Sequence, residues 1–321
     1  MHLVSVDAES SFTQTAPVHE RKGLEFLWLE LTNRCNLQCV HCYAESHPYS
    51  ADRDLLTTRD YESIMSQAYA LGCRKIQFIG GEPQLNRDFL PLLMKAKTIG
   101  FEFIEVFSNL TRLADDTVRY AADNGVHFAT SVYSDEPAAH DAITTVRSSH
   151  ARTIKNLKKL ISNGIETRAG IIIINQDKSA VERTIRFLRD LGVGRVRASE
   201  VREFGRGEEI LGQRARMSGL CGHCWAGKLC VAPDGAALPC VMARQWPVGN
   251  VLEAPLAEIV GGEPLQDTRK TIFETVWLPK TAITGCTPNC QQSCNPDLSS
   301  CNPHGCEQSC APPMCMPETP Q

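Results

Sequence analysis

Short apolar runs alternate with longer amphipathic stretches from residue 24 to about residue 200. The apolar runs predict six strands, at residues 25–31, 74–80, 101–107, 126–132, 165–174 and 194–200. Between them, apolar residues recur at steps of three and four, which predicts helices at about 58–71, 88–99, 112–124, 150–163 and 178–191. Six successive βα units predict parallel strands with right-handed crossovers, in a barrel, a partial barrel or a doubly wound sheet. In each case the active site lies at the carboxyl ends of the strands.

The first predicted helix carries signals at both of its ends. Thr57 stands three residues before Asp60, which is the spacing of a capping box, and Gly72 follows the last periodic residue. A threonine and an acidic residue at this spacing satisfy each other's backbone amides, and glycine ends a helix in the left-handed conformation. We therefore expect a helix with well-defined limits directly after the first strand.

The composition and the hydrophobic pattern of the chain change near residue 216. The turn sequence PDG at 233–235 separates the short runs KLCVA and AALPC, which predicts a hairpin. After Cys286 the chain is rich in Pro, Asn, Ser and Cys, and it lacks the apolar surface needed to order itself without a metal. Residues 1–23 are polar and aperiodic. We expect an N-terminal tail at 1–23, a βα domain at 24–215 and a cysteine-rich domain at 216–321.

Charge and hydropathy exclude several classes of protein. The 321 residues carry a formal net charge of -4 and contain no run of Lys and Arg typical of nucleic-acid binding. No stretch reaches the ~18 apolar residues of a membrane span, and the N-terminus lacks the order of a signal peptide. We expect a cytoplasmic protein that binds neither nucleic acid nor membrane.

Fifteen cysteines are many for a cytoplasmic chain. Cytosolic thiols stay reduced, so a dense cysteine pattern there indicates metal binding or catalysis more than disulfides. A secreted disulfide-bonded protein is the alternative, and the uneven distribution disfavours it. Three cysteines cluster at 35–42, Cys73 stands alone and eleven follow residue 220.

Cys35, Cys39 and Cys42 follow the first predicted strand directly. Three thiolates on one loop can each bind one iron of a cubane and leave the fourth iron without a protein ligand. A zinc site completed by His41 or by a distant ligand is an alternative, since structural zinc takes four ligands. A coincidental group of buried cysteines is the other.

The unbroken C-x3-C-x2-C spacing, flanked by NRCN and CY, resembles the signature of the radical S-adenosylmethionine (SAM) family. The resemblance covers about residues 24–200. It implies an α/β fold, a partial (β/α)6 TIM-type barrel followed by a small cysteine-rich Fe–S domain. It also implies a [4Fe–4S] radical SAM cluster on Cys35, Cys39 and Cys42.

Further segments match the family in the expected order. GGEP after the second strand resembles the segment whose backbone holds the SAM amino group, and glycines allow such close approach. Relatives often carry S-x-D-G after the fourth strand, where this chain has Tyr133 at the aspartate position, a candidate radical-site catalytic residue. The SAM contacts that the resemblance implies are His41, Gly80, Gly81, Glu82, Pro83, Asn109 and Ser131. Arg168, on the fifth strand, is a further candidate, which could pair with the SAM carboxylate or face solvent.

The resemblance also implies the chemistry. One electron from the reduced cluster cleaves SAM and releases a 5′-deoxyadenosyl radical, which abstracts hydrogen from the substrate. The protein fixes geometry and excludes water, because the cofactors carry the hard chemistry. An Fe–S electron-transfer or scaffold protein is the alternative from another class. GGEP argues against it, since electron transfer needs no SAM amino-group site.

The second half resembles a SPASM domain, an appendage with auxiliary [4Fe–4S] clusters. The matching elements are Cys221, C-x2-G at Cys224, G-x4-C at Cys240 and the later GN. The spacing of the tail differs from the usual ending, and zinc remains a rival there. Two clusters need eight of the eleven cysteines, and Cys230 and Cys73 are expected to be buried thiols. One or two auxiliary clusters are expected, with tail ligand candidates Cys286, Cys290, Cys294, Cys301, Cys306, Cys310 and Cys315.

Within this group a maturase of a ribosomal peptide is the favoured function, forming a crosslink, a thioether or an epimerised residue. A sulfatase-type protein maturase or a small-molecule enzyme is the alternative. Only about 23 residues precede the first strand, so we expect the leader of a peptide substrate to be recognised by a separate leader-peptide-binding protein, by the barrel rim or by the cysteine-rich tail. An electron donor such as flavodoxin or ferredoxin is another expected partner.

Overall fold

Nine strands form one sheet in the computed structural model, which describes residues 23–50 and 54–284. The strand order is β6-β5-β4-β3-β2-β1-β7-β8-β9. Its first six strands are parallel neighbours, with bounds Phe26–Glu30 (β1), Lys75–Ile79 (β2), Phe103–Phe107 (β3), His127–Ser131 (β4), Thr167–Ile173 (β5) and Arg195–Glu200 (β6). Strictly sequential order is the winding of a barrel, because a doubly wound sheet reverses its order at a switch point. The predicted α/β partial barrel is confirmed.

Helices lie between these strands, where the three- and four-residue periodicity predicts them. They are Thr58–Ala70 (α1), Phe89–Ile99 (α2), Asp115–Asn124 (α3), Pro137–Thr144 (α4), Ser149–Ser162 (α5) and Lys178–Asp190 (α6). The sequence did not predict α4, because its eight residues are too few for a periodic pattern. The capping box of α1 is confirmed, since the Thr57 hydroxyl accepts from the Asp60 amide and the Asp60 carboxylate accepts from the Thr57 amide.

The remaining elements follow the sixth strand. The helices are Gly207–Leu211 (α7), Leu256–Gly261 (α8), Glu263–Ile272 (α9) and Leu278–Thr284 (α10), with a π-helical turn at Phe273–Trp277 between the last two. The strands are Lys228–Val231 (β7), Ala236–Leu238 (β8) and Gly249–Asn250 (β9). The hairpin predicted around PDG is confirmed as β7 and β8, whose turn places Gly235 at a φ of +85°.

Strand β7 does more than form a hairpin, because it also pairs in parallel with β1. The segment after residue 216 therefore continues the barrel sheet. The two predicted domains therefore share one sheet. The predicted tail up to residue 22 and the seven cysteines from Cys286 to Cys315 lie outside the described residues.

Two apolar cores occupy the two sides of the sheet. Successive side chains of a strand point to opposite faces, so Leu27 and Leu29 pack under the helices with Cys73, which is fully buried. Phe26 and Trp28 face the concave side, where Cys221, Cys224, Cys230, Cys240, Trp225 and Trp277 form a second core. The C-terminal part of the described chain thus covers the concave face of the barrel.

Within the described ranges, no helix combines the length and the apolar character that crossing a membrane requires.

Candidate active site

A cavity of about 170 Å³ lies at the carboxyl ends of the barrel strands. The three loop cysteines line it, together with residues from β1 to β6. Its wall on the other side comes from the segment after β6 and from Val241 and Met242. Other lining residues are Trp28, His41, Tyr43, Gly80, Gly81, Phe107, Asn109, Ser131, Tyr133, His140, Gly170, Ile172, Ser199, Glu200, Arg202 and Phe204.

The cysteine loop is held from two sides. The Gln38 and Val40 amides donate to the last carbonyls of α4, over 3.2 and 3.0 Å. From the opposite side, the Arg206 guanidinium donates to the Cys39 carbonyl at 2.8 Å and to the Ser46 carbonyl at 2.9 Å. Backbone contacts of this kind fix the loop without using the thiols, which stay available as ligands.

The three thiols are buried or partly buried, and all are free. Burial raises the pKa of Cys35, and it raises the pKa of Cys39 to about 12, although the Tyr133 hydroxyl donates to the Cys39 sulfur over 3.9 Å. Cysteines protonated in the metal-free protein must release their protons when they bind a metal. Cluster binding would therefore replace buried, protonated thiols with metal-bound thiolates.

The donor set fits a cubane with one open iron. Three thiols from one loop face a shared cavity, and each can take one iron. In residues 23–50 and 54–284, no three His, Cys, Asp or Glu side chains are arranged to bind a single metal ion. A cubane takes its thiolates on separate irons, so its ligands need not converge on one point.

Gly80 and Gly81 bring the end of β2 into contact with the cysteine loop. The Gly81 amide donates to the Thr32 carbonyl at 2.8 Å, and the Glu82 amide donates to the Arg34 carbonyl at 2.9 Å. A Cβ on Gly81 would stand 2.4 Å from the Arg34 oxygen, and one on Gly80 would stand 2.6 Å from the Thr32 oxygen. Only glycine fits at this approach.

Glu82 does not line the cavity but ties β2 to β3. Its side chain is buried, and its oxygens accept from the Ser108 hydroxyl and the Asn109 amide, each at 2.8 Å. Burial raises the pKa of Glu82 to about 7, and these hydrogen bonds lower it in part. Asn109, thus fixed, donates to the Asn36 side chain at 2.8 Å and faces the cavity beside Cys35.

A line of rings extends from the cavity. His41 meets Tyr133 with centroids 4.9 Å apart, Tyr133 meets His140 at 5.2 Å, and His140 meets His150 at 5.3 Å. Burial lowers the pKa of His41 to about 4, so this imidazole is neutral. The Ser131 hydroxyl contacts the Tyr133 phenol.

The cavity thus brings together His41, Gly80, Gly81, Asn109, Ser131 and Tyr133 of the predicted site residues. Pro83 opens a short 3-10 turn behind it. Arg168 lies two residues before the lining residue Gly170, and its guanidinium donates to the buried carboxylate of Glu105 at 2.8 and 2.7 Å. The structure therefore places Arg168 outside the cavity lining, because Glu105 engages it lower in the barrel.

The auxiliary candidates that the structure describes lie together in the concave core. The Cys224 thiol contacts those of Cys221 and Cys240, and these contacts, together with burial, raise its pKa. All three side chains are buried. Cys230, on β7, is fully buried in the same core.

Sequence reasoning missed the wall formed by Val241 and Met242, and it missed a buried ion pair between Glu30 and Arg244. A signal for the pair was present. Glu30 interrupts the apolar run EFLWLEL, and a charge inside a buried strand requires a partner. Nothing in the sequence identifies a partner 214 residues away.

Comparisons with known proteins agree with this geometry. The family model for the radical SAM superfamily matches residues 29–188, and the model for SPASM, an iron–sulfur cluster-binding domain, matches residues 221–295. The chain belongs to the radical SAM superfamily and carries a SPASM domain. It is a radical SAM enzyme.

Among curated proteins, the chain is similar to two named PqqA peptide cyclase. That of Streptomyces rochei is 26% identical over 72% of this chain and 74% of its own length. That of Gluconobacter oxydans is 25% identical over 79% and 80%.

Solved structures show the same fold. SuiB of Streptococcus suis bound to S-adenosylmethionine aligns with a TM-score of 0.62 at 18% identity, over 76% of this chain and 67% of that one. The protein anSMEcpe with bound AdoMet aligns with a TM-score of 0.60 at 14% identity, over 78% and 84%.

Proposed function

We propose that this enzyme is a peptide maturase, which abstracts hydrogen from a ribosomally made peptide to form a crosslink, a thioether or an epimerised residue. The observation that carries the proposal is one cavity with the cysteine loop on one side and the SPASM segment on the other. The name peptide cyclase of relatives aligned over about three quarters of the chain supports a peptide substrate.

In this proposal Cys35, Cys39 and Cys42 hold the [4Fe–4S] cluster. When bound, the cluster and SAM supply a 5′-deoxyadenosyl radical. The backbone at Gly80 and Gly81 binds the amino group of SAM, while Asn109, Ser131 and His41 orient the rest of it. The remaining walls are largely apolar and exclude water, which protects reactive species from side reactions.

Cys221, Cys224 and Cys240 hold an auxiliary cluster, completed by a cysteine of the tail. Val241 and Met242 follow Cys240 directly and line the cavity. An auxiliary cluster held by Cys240 would therefore lie next to this cavity and could accept an electron there. The tail cysteines supply ligands for a second auxiliary cluster in the same proposal.

The reaction also needs partners. A flavodoxin or ferredoxin in the cytoplasm supplies the electron, and a separate protein presents the leader of the peptide. A solved structure of SuiB is bound to its precursor peptide SuiA, which shows that SuiB, of the same fold, holds a peptide.

A matched pair of cysteine variants tests the radical chemistry. After anaerobic reconstitution with iron and sulfide, addition of dithionite and SAM should yield 5′-deoxyadenosine. Cys35→Ala should abolish this product and lose about four irons while the auxiliary clusters remain. Cys73→Ala removes a thiol from the core under the helices and should keep both the product and the iron. If the wild-type enzyme holds all its clusters and forms no 5′-deoxyadenosine, the proposal is wrong.

The substrate is tested by mass spectrometry on short peptides encoded beside the gene. A crosslink or thioether lowers the peptide mass by two hydrogens. Epimerisation in deuterated water leaves the connectivity unchanged and adds deuterium at an α-carbon. A neighbouring sulfatase that is modified instead would contradict the peptide assignment.

A further inference from the structure

A buried ion pair joins the first barrel strand to the SPASM segment. Glu30 is the last residue of β1, and its side chain is 1% exposed. One terminal nitrogen of Arg244 donates to both carboxylate oxygens of Glu30, each over 2.8 Å. Charge-assisted contacts of this kind are the strong class of protein hydrogen bond.

Both partners stand beside reactive segments. Glu30 is held at its backbone, where its carbonyl accepts from the Tyr61 hydroxyl at 2.9 Å, and the cysteine loop begins a few residues later. Arg244 directly follows a short turn that begins at Cys240 and is closed by the Ala243 amide donating to the Cys240 carbonyl at 3.0 Å. The side chains of Val241 and Met242, inside this turn, line the cavity.

The surroundings keep Arg244 charged. Burial lowers the pKa of Arg244, but the adjacent Glu30 outweighs burial and raises it overall. Tyr43, next to Cys42, lies close enough to feel both charges, and its buried hydroxyl has no hydrogen-bond partner within the described chain. The ion pair is thus a strong polar link between β1 and segment 240–244.

We propose that the Glu30–Arg244 pair is a positioning device: it fixes segment 240–244, with Cys240 and the two wall residues, against the reactive loop. A buried pair is a poor way to gain stability, since apolar residues of similar volume often do as well or better. Its advantage is geometric specificity, because the carboxylate and the guanidinium are satisfied only when the two segments are in one relative position. The inference rests on the proposed function, in which this wall holds the substrate.

Weakening the pair should loosen the wall without stopping the radical chemistry. SAM binds on the barrel side, so 5′-deoxyadenosine should still form. A displaced wall presents the peptide poorly, so less product should appear for each SAM cleaved. Uncoupling of cleavage from product is the functional signature of a lost positioning contact.

The test compares reconstituted holoenzymes. Glu30→Gln combined with Arg244→Met removes both charges and avoids leaving one of them buried alone. Arg244→Lys keeps the charge but changes the geometry of the contact. Glu105→Gln combined with Arg168→Met removes a second buried pair that lies wholly within the barrel. Hydrogen–deuterium exchange of the peptide covering 240–246 and the ratio of product to 5′-deoxyadenosine are measured for each.

The double variant at Glu30 and Arg244 should show several-fold faster exchange at 240–246 and a several-fold lower product ratio. The lysine variant should lie between it and wild type, and the Glu105 and Arg168 variant should keep wild-type exchange there. Unchanged exchange in the first double variant overturns the proposal. So does loss of a cooperative melting transition in both Arg244 variants, which would assign the pair to folding. Exchange needs no substrate, so failure to find a peptide contradicts the proposed function and leaves this test decisive.

Discussion

Replacing Gly81 with alanine probes the contact between the second strand and the cysteine loop. The new Cβ would stand 2.4 Å from the Arg34 oxygen and 2.7 Å from the Asn33 oxygen, where ordinary contacts begin at 3.4 Å. The two segments must separate by about 1 Å, and both atoms belong to the backbone, so no side chain can rotate away. Overpacking of this kind costs ~1–3 kcal/mol.

The expected result follows from that cost. If the cost is borne by the SAM-binding geometry, SAM affinity decreases ~5- to 150-fold, since ~1.4 kcal/mol is a factor of ten. If the cost instead destabilises the folded protein, a loss of ~2 kcal/mol in the free energy of unfolding lowers the melting temperature by about 4–8 °C in a chain of this size. Anaerobic equilibrium dialysis with SAM and thermal melting measure the two effects.

Gly170→Ala is the matched control. Gly170 lines the same cavity, but the nearest atom to its Cβ is the Thr130 oxygen at 3.9 Å, an ordinary contact. This variant should melt like wild type and bind SAM with little change. The reasoning is refuted if Gly81→Ala matches wild type in both measurements, or if Gly170→Ala is damaged as much.

Three further outcomes are expected. Burial raises the pKa of Glu82 from 4.5 to about 7. Its contribution to the free energy of unfolding is therefore complete below about pH 4.5 and is lost as the pH rises to 7. The free energy of unfolding of the cluster-free protein should fall by ~3 kcal/mol over that range. Glu82→Gln should flatten the dependence of the melting temperature on pH, and an equally steep dependence in this variant contradicts the prediction. Thr57→Ala removes the cap of α1 and should cost ~1 kcal/mol with SAM affinity unchanged, which melting and dialysis check. Tyr133→Phe should retain iron and 5′-deoxyadenosine but form less peptide product, and wild-type product levels would remove Tyr133 from the reaction.

Local patterns predicted most of the barrel. Each of the six strands and five helices has its own periodic signal, and the capping box at Thr57 marks a helix start that the structure confirms. The cysteine loop and GGEP were also readable, because both are contiguous in sequence.

Contacts between distant segments were not readable. The apolar run KLCVA predicts a strand but not its neighbour, and its pairing with β1 depends on the whole barrel being formed. Arg168 was a candidate partner of the SAM carboxylate or a solvent-facing residue. Its pairing with Glu105 depends on which residues of two separate strands face inward at the same level.

The pairing of β7 with β1 has a consequence for how the chain is made. One edge of β1, at Phe26–Leu29, stays unpaired during synthesis until residues 228–231 of β7 have been made. Until then the ribosome carries a barrel with an open apolar edge, the kind of surface that recruits other chains. A fragment that stops at residue 215 should therefore aggregate, while one that continues past β7 closes that edge. The segment that carries the auxiliary cysteines therefore also protects the first strand of the barrel from pairing with other chains.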